Sequence, residues 1–357
     1  MSNSSVGARV LAVLGDPRLG GLPATARDDA VTALLSAWLV GGLLLDAWAH
    51  TSVPEPEPFS TPWQAVSYTG FLALAGWVLL LVRRGLRDGL RGAAAVPLGY
   101  RATVPALIGV VLAVAGDLLW HAAFHGTAEA VDVQFGPAHL GLAACAFVLV
   151  TTPLRSAMAR GDIGAAPPLR LLWPALLACG CAAALVVLFL GYGNAAAYSA
   201  ARIVEVLSQP GGPQVRALAA AVVISTAVLL LPLLFAARRW RLPFGAALLT
   251  MLPAVAMSGA ETDGHNLSIL IAFAVAAVGV DLLVLCLDPA ADRPSAYRGF
   301  ATAAALFTWG LYIGVAAAAA GRLPDVVELW TGIPIAAALV AWLLAVLMLP
   351  ARTNATP

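Results

Sequence analysis

The chain contains no lysine: all twenty of its basic residues are arginine. Charge of either sign is scarce, since Asp, Glu, Lys and Arg make up 11% of the residues against 61% hydrophobic ones, and mean hydropathy is +0.88. That composition excludes an ordinary soluble domain. Cysteine is scarce too. The four that occur, Cys145, Cys179, Cys181 and Cys286, all fall inside apolar runs and form no CxxC pair, which excludes a disulfide framework and leaves apolar packing as their role. The first 28 residues lack the apolar core of a secretory leader. Ala47-Trp48-Ala49 imitates a cleavage site, yet the expectation is an uncleaved tail. With a formal net charge of +1, nothing points to a nucleic-acid partner.

What the chain has in quantity is apolar runs of about 20 residues, the length that carries a helix across the roughly 30 Å hydrocarbon core. Ten are expected, at 30–50, 62–82, 102–124, 137–157, 169–191, 215–237, 243–260, 266–287, 299–320 and 330–349. The fold class implied is all-α, a polytopic transmembrane helical bundle, with a tail at 1–28, a membrane domain at 29–350 and a second tail at 351–357. Arginine sets the orientation, because cationic loops are retained in the cytoplasm during insertion. With both termini inside, every arginine except Arg202, Arg216 and Arg322 falls on the inner side. The expected location is the cytoplasmic membrane, crossed many times.

Pairing the runs gives hairpins at 30–82, 102–157, 169–237, 243–287 and 299–349. The first two share a pattern at their outer turns. Hairpin 1 leaves the membrane as "LLLDAWAHT" and returns as "FSTPWQAVSYTG"; hairpin 2 leaves as "AGDLLWHAAFHG" and returns as "FGPAHLGLAA". Both read D-x3-H, then Phe, then P-x-(Q or H), which suggests a duplicated helical hairpin. Pro62 and Pro137 suit a first helical turn, Ser60 or Thr61 can cap the first return helix, and Gln64 and His139 then lie in the first turn.

Residues four apart share a helix face. Asp46 and His50 therefore form one pair, and Asp117, His121 and His125 form a stripe over two turns. All five histidines, the fifth being His265, map to one end of a helix or its adjoining loop. Glu261, Asp263 and His265 in "GAETDGHN" make a third cluster. Ionisable groups at membrane depth cost about 2.5–3.5 kcal/mol each on insertion scales unless paired, hydrated or metal-bound. The expectation is a metal site at the extracytoplasmic face held by Asp117, His121 and His139, with Asp46, His50 and His125 as further ligands and Gln64, Glu261, Asp263 and His265 as an outer shell. Imidazole and carboxylate donors suit copper, iron or zinc, and the absence of nearby thiolate or methionine argues against a carrier of Cu(I) alone. Haem is disfavoured, because bis-histidine haem bundles bury their ligands deeper than helix ends. Trp48, Trp63, Trp120 and Trp330 read as interfacial anchors. Asp281 reads as reaching the inner surface, and Tyr192, Asn194 and Tyr198 are placed to cover the site.

At these motifs the chain resembles a group of actinobacterial polytopic membrane proteins that carry D-x3-H and P-x-H at successive hairpins. Asp117, His121 and the later His139 also resemble the metal site in the C subunit of the copper membrane monooxygenases, although the interval from His121 to His139 is longer here. That resemblance implies a copper or iron oxidative centre acting on a small lipophilic substrate, supplied by an electron-donor protein. His121-x3-His125 is similar to the ceramidase-like zinc hydrolases, which implies a zinc-activated water, but their serine motif is missing. A transporter or metal-handling protein is the third class. Against it stands the sparseness of polar residues in the inner halves of the expected spans.

Overall fold

The computed structural model describes residues 22–53, 61–123 and 136–349, with backbone alone at 121–123. Twelve α-helices make up the described fold: α1 (Ala26–Ser52), α2 (Pro62–Arg87), α3 (Thr103–Ala123), α4 (Pro137–Val150), α5 (Thr152–Ala159), α6 (Leu169–Phe189), α7 (Ala200–Leu207), α8 (Pro213–Ala237), α9 (Ala246–Glu261), α10 (Leu267–Leu287), α11 (Pro294–Ala320) and α12 (Val327–Met348). Eight of these are long and apolar enough to cross a membrane, and the bent pair α4–α5 makes a ninth path. The protein is a multi-pass helical membrane bundle.

Every expected run is helical, but two are not simple spans. The run at 137–157 bends by 40° between α4 and α5. Pro153 sits at the start of α5 and has no N–H to offer the Leu149 carbonyl one turn back. The Thr152 hydroxyl donates to that carbonyl instead, at 2.7 Å, and Thr151 does the same for Phe147 at 2.7 Å. The seventh run, α9, has only 16 residues, about 24 Å at 1.5 Å per residue. It begins inside the protein rather than at a surface. Its first amides are met there by Asp281 of α10, whose carboxylate accepts from Ala247 N at 2.8 Å and Leu248 N at 3.2 Å. Asp281 is therefore not a surface-seeking side chain. It is fully buried and caps a neighbouring helix at the end where the backbone dipole is positive.

Capping also explains where the first two helices begin. Thr25 accepts from Asp28 N at 3.1 Å while Asp28 accepts from Thr25 N at 3.0 Å, which starts α1 four residues before the apolar run. Thr61 and Gln64 form the same reciprocal box at α2, just ahead of Pro62. Both are S/T-x-x-(E/Q/D) boxes that satisfy amides a helix start leaves open.

Helix α6 is the most buried of the long helices and forms the hub, in contact with α1, α4, α5, α8 and α9. Its Gly180 lies so close to α9 that a Cβ would stand 2.3 Å from the Leu249 carbonyl oxygen. Helices α1 and α2 approach equally closely through Gly42 and Gly70, each set against the other helix's backbone. Small residues allow this contact in lipid, where packing rather than water exclusion drives association. Around α11 the core is aromatic: Trp309, Tyr312 and Phe273 stack pairwise at centroid distances of 5.1–5.7 Å. Trp309 Nε1 donates to Thr226 Oγ1 at 2.8 Å and Tyr312 OH to Ala195 O at 2.9 Å, so the polar tip of each ring is satisfied.

Candidate functional site

The α3–α4 hairpin brings the aspartate of one motif to the histidine of the next. Pro137 opens α4, which puts His139 at its third position, while Asp117 lies in the last two turns of α3. Small residues at the crossing, with Gly116 facing Ala138 and Gly141 facing Ala113, hold the two helices close. The result is a contact of 2.9 Å between His139 Nδ1 and Asp117 Oδ1, with each side chain 27% exposed. A carboxylate on Nδ1 fixes the orientation of the ring. His121 stands one turn beyond Asp117 on α3. Its side chain, and the whole of His125, lie outside the described residues.

The equivalent pair on α1 is arranged differently. His50 Nδ1 is 2.9 Å from the Asp46 backbone carbonyl and 3.9 Å from its carboxylate, so the ring leans on the helix and is largely exposed. Asp46 and Asp117 are both within electrostatic range of the Tyr68 hydroxyl on α2, which brings the two D-x3-H motifs to one region. Gln64 accepts from Thr61 N at 3.4 Å in the capping box that opens α2.

The third cluster divides. Asp263, in the left-handed region at φ 49°, accepts from Ser52 Oγ at 2.7 Å and Trp48 Nε1 at 3.0 Å. These bonds hold its carboxyl below the usual range. Thr51 adds a bond to Ala260 O at 3.1 Å, so the turn between α9 and α10 is latched to the C-terminal end of α1. Trp48 thereby has a hydrogen-bonding role, with its ring edge-on to Trp63 at 5.8 Å. His265 bonds back to Thr262 O at 2.7 Å and stays exposed. Glu261 turns toward the segment between α6 and α7, where Asn194 Nδ2 donates to it at 3.2 Å. Burial pushes the Glu261 carboxyl up to about 7, against the opposing pull of that bond. Asn194, expected to cover the site, is buried and joined to the third cluster instead. Among the described residues no group of three or more His, Cys, Asp and Glu side chains comes together. The Asp117–His139 pair brings together two such side chains, and His121 lies one turn beyond Asp117 on α3.

At the arginine-rich end of the bundle lies a polar network that sequence reasoning missed. Asp29 of α1, 3% exposed, meets Arg160, 5% exposed, at 3.2 Å. Tyr100 OH donates to Asp29 Oδ1 at 3.1 Å and shares a 2.8 Å bond with Thr32, which accepts from Trp77 Nε1 at 3.1 Å. Arg155 donates to Thr151, Thr152 and Thr103 at 2.7–3.1 Å. The signal was present in "TARDD": a Thr-x-x-Asp box starts the helix at Ala26, ahead of the apolar run, and so puts Asp29 within its first turn.

No protein-family model, curated protein or solved structure matches the chain. The likenesses drawn from the D-x3-H and P-x-H motifs therefore rest on those residues alone.

Proposed function

We propose that the protein is a metal-dependent membrane oxidase or monooxygenase whose centre is built on Asp117, His121 and His139 at the extracytoplasmic ends of α3 and α4. The observation that carries this reading is the 2.9 Å contact between Asp117 and His139, which joins two motifs separated in sequence. His139 would present Nε2 and His121 would supply a second imidazole, while Asp117 orients the first ring or ligates directly. Copper or iron bound there would supply the redox chemistry, with electrons from a donor protein and a small lipophilic substrate from the bilayer. Asp46 and His50, near the same region through Tyr68, would shape the surroundings of that centre.

Metal analysis of detergent-purified protein tests this directly. Copper or iron near one per chain, lost in a His121→Ala/His139→Ala variant of matched thermal stability, is the expected result. Stoichiometric zinc without a redox signal would transfer the same residues to a hydrolase. No retained metal after reconstitution would end the metalloenzyme reading. A transporter is the second reading, favoured by the buried Asp29–Arg160 network, because α1 then carries polar groups at both its ends. Uptake into proteoliposomes that depends on Asp29 would favour it.

A further inference from the structure

Between α6 and α7 the chain leaves α-helical geometry inside the bundle. It runs through two short 3₁₀ turns, Gly191–Gly193 and Ala195–Ala197, with Asn194, Ala195 and Ala196 buried. A membrane bundle tolerates such backbone only where protein satisfies its polar groups or a cavity adjoins it, and both conditions are met. Ser225 of α8 donates to Gly193 O and accepts from Ala195 N, each at 3.0 Å. Tyr312 of α11 donates to Ala195 O at 2.9 Å, and Asn266, at the start of α10, donates to Ala196 O. Against the same segment lies a cavity of about 20 Å³, room for one water-sized occupant. Leu190, Ile224, Val255 and Phe273 give it apolar walls, and Asn194 and Ser225 polar ones.

Two groups on α9 stand outside that bonding. Ser258 is fully buried, and its hydroxyl meets no hydrogen-bond partner. It lies four residues past Ala254 and three past Val255, both of which line the cavity, so helical spacing turns it to the cavity side. Glu261 follows three residues later and accepts from Asn194 Nδ2 at 3.2 Å. Among the described residues that neutral amide is its partner, and no charged side chain faces it. A carboxyl buried without a counter-charge either keeps its proton or holds a cation.

We infer that Glu261, Ser258 and Asn194 bind a small monovalent cation of the sodium class between the end of α9 and the 190–197 segment. The donors are all oxygens, which suits a hard cation: a carboxylate, a free hydroxyl and the Asn194 amide oxygen, which keeps a second lone pair beyond its bond to Ala196 N. Charge decides the valence. One carboxylate balances one positive charge, whereas a divalent ion would leave a net charge against Leu190, Val255 and Phe273, a costly burial. Size excludes an organic cation, since the cavity admits one water-sized occupant. The cation takes the place of the carboxyl proton, so the two compete. This site shares no residue with the Asp117–His139 pair, and its test does not depend on transition-metal content.

The test is thermal unfolding of detergent-purified protein titrated with sodium chloride against choline chloride at matched ionic strength, which cancels surface screening. At about pH 8, above the point near which the Glu261 carboxyl titrates, about 7, sodium should raise the midpoint saturably and choline should not. At about pH 5, where the proton holds the carboxyl, sodium should have no effect. Glu261→Gln should abolish the response. Ser258→Ala removes a hydroxyl without a partner, so its midpoint in choline should be no lower than that of the wild type, while half-saturating sodium should rise about tenfold for the loss of one neutral oxygen ligand. That variant keeps the inference testable even if Glu261→Gln fails to fold. Equal midpoints in sodium and choline would overturn the inference and leave Glu261 a proton site alone. A sodium response unchanged in Ser258→Ala would overturn it too, by placing the cation elsewhere, and calcium acting in place of sodium would refute the monovalent assignment.

Discussion

Glu261 shows how far a single side chain can depart from the duty its sequence neighbours suggest. In "GAETDGHN" it reads as one of three clustered groups surrounding the metal ligands, but the end of α9 turns it toward Asn194. Burial raises its carboxyl from the ordinary 4.5 to about 7. The folded protein therefore binds a proton there that the unfolded chain releases above about pH 4.5. Stability is highest below that pH, falls as pH rises toward 7, and levels off above it. Wild-type protein in detergent should lose thermal stability between pH 5 and 7.5, and Glu261→Gln should flatten that slope. An unchanged slope in the variant would place the titration elsewhere. The Asp29–Arg160 pair makes a related point about burial. Its two charges are nearly invisible to solvent, a costly arrangement unless every partner is in place, and Tyr100 together with the second Arg160 contact, Asp162, supplies those partners. The sequence displays the charges, but not that they meet across 131 residues.

Elements were the most legible level, and their ends the least. Apolar runs located every long helix, since a helix in lipid must satisfy its backbone internally and so must be continuous. What the runs could not report were events arising from tertiary contact: the start of α1 at Ala26, the bend at Thr151, the short α7 within a connecting segment, and the interior start of α9. Of these, α9 is the sharpest case, because its first turn depends on a carboxylate from another helix. Removing Asp281 leaves the Ala247 and Leu248 amides buried without an acceptor, a loss of about 1–3 kcal/mol. Asp281→Ala should lower the unfolding midpoint in detergent clearly, and Asp281→Asn, which keeps one amide oxygen in place, by less. Equal losses would show that the charge at the helix start, rather than the hydrogen bonds, is what α9 requires. Neither change should alter metal content, since Asp281 of α10 contacts the start of α9, the opposite end of that helix from Glu261.

At the scale of the molecule, orientation is the property that decides whether Asp117 and His139 face the outside or the cytoplasm. In the fold many arginines are matched by acids: Arg84 by Asp28 at 3.3 Å, Arg160 by Asp162 at 2.5 Å, and Arg241 and Arg293 by Asp288 at 2.5 and 2.7 Å. Such pairing might be thought to cancel the basic bias of that face. It does not, because topology is fixed during insertion, before these pairs form, and arginine counts in the short loops matter while aspartate contributes little. By that rule the arginines at 83–91, 155–170, 238–241 and 293–298 are expected to retain one end of the bundle inside. Reporter fusions should read cytoplasmic after residues 90, 165, 241 and 292, and extracytoplasmic after residues 57 and 130. Replacing Arg83, Arg84, Arg87 and Arg91 with Gln should produce a mixed population of hairpin 1 while the later loops keep theirs. The opposite reporter pattern would turn the Asp117–His139 pair to the cytoplasm.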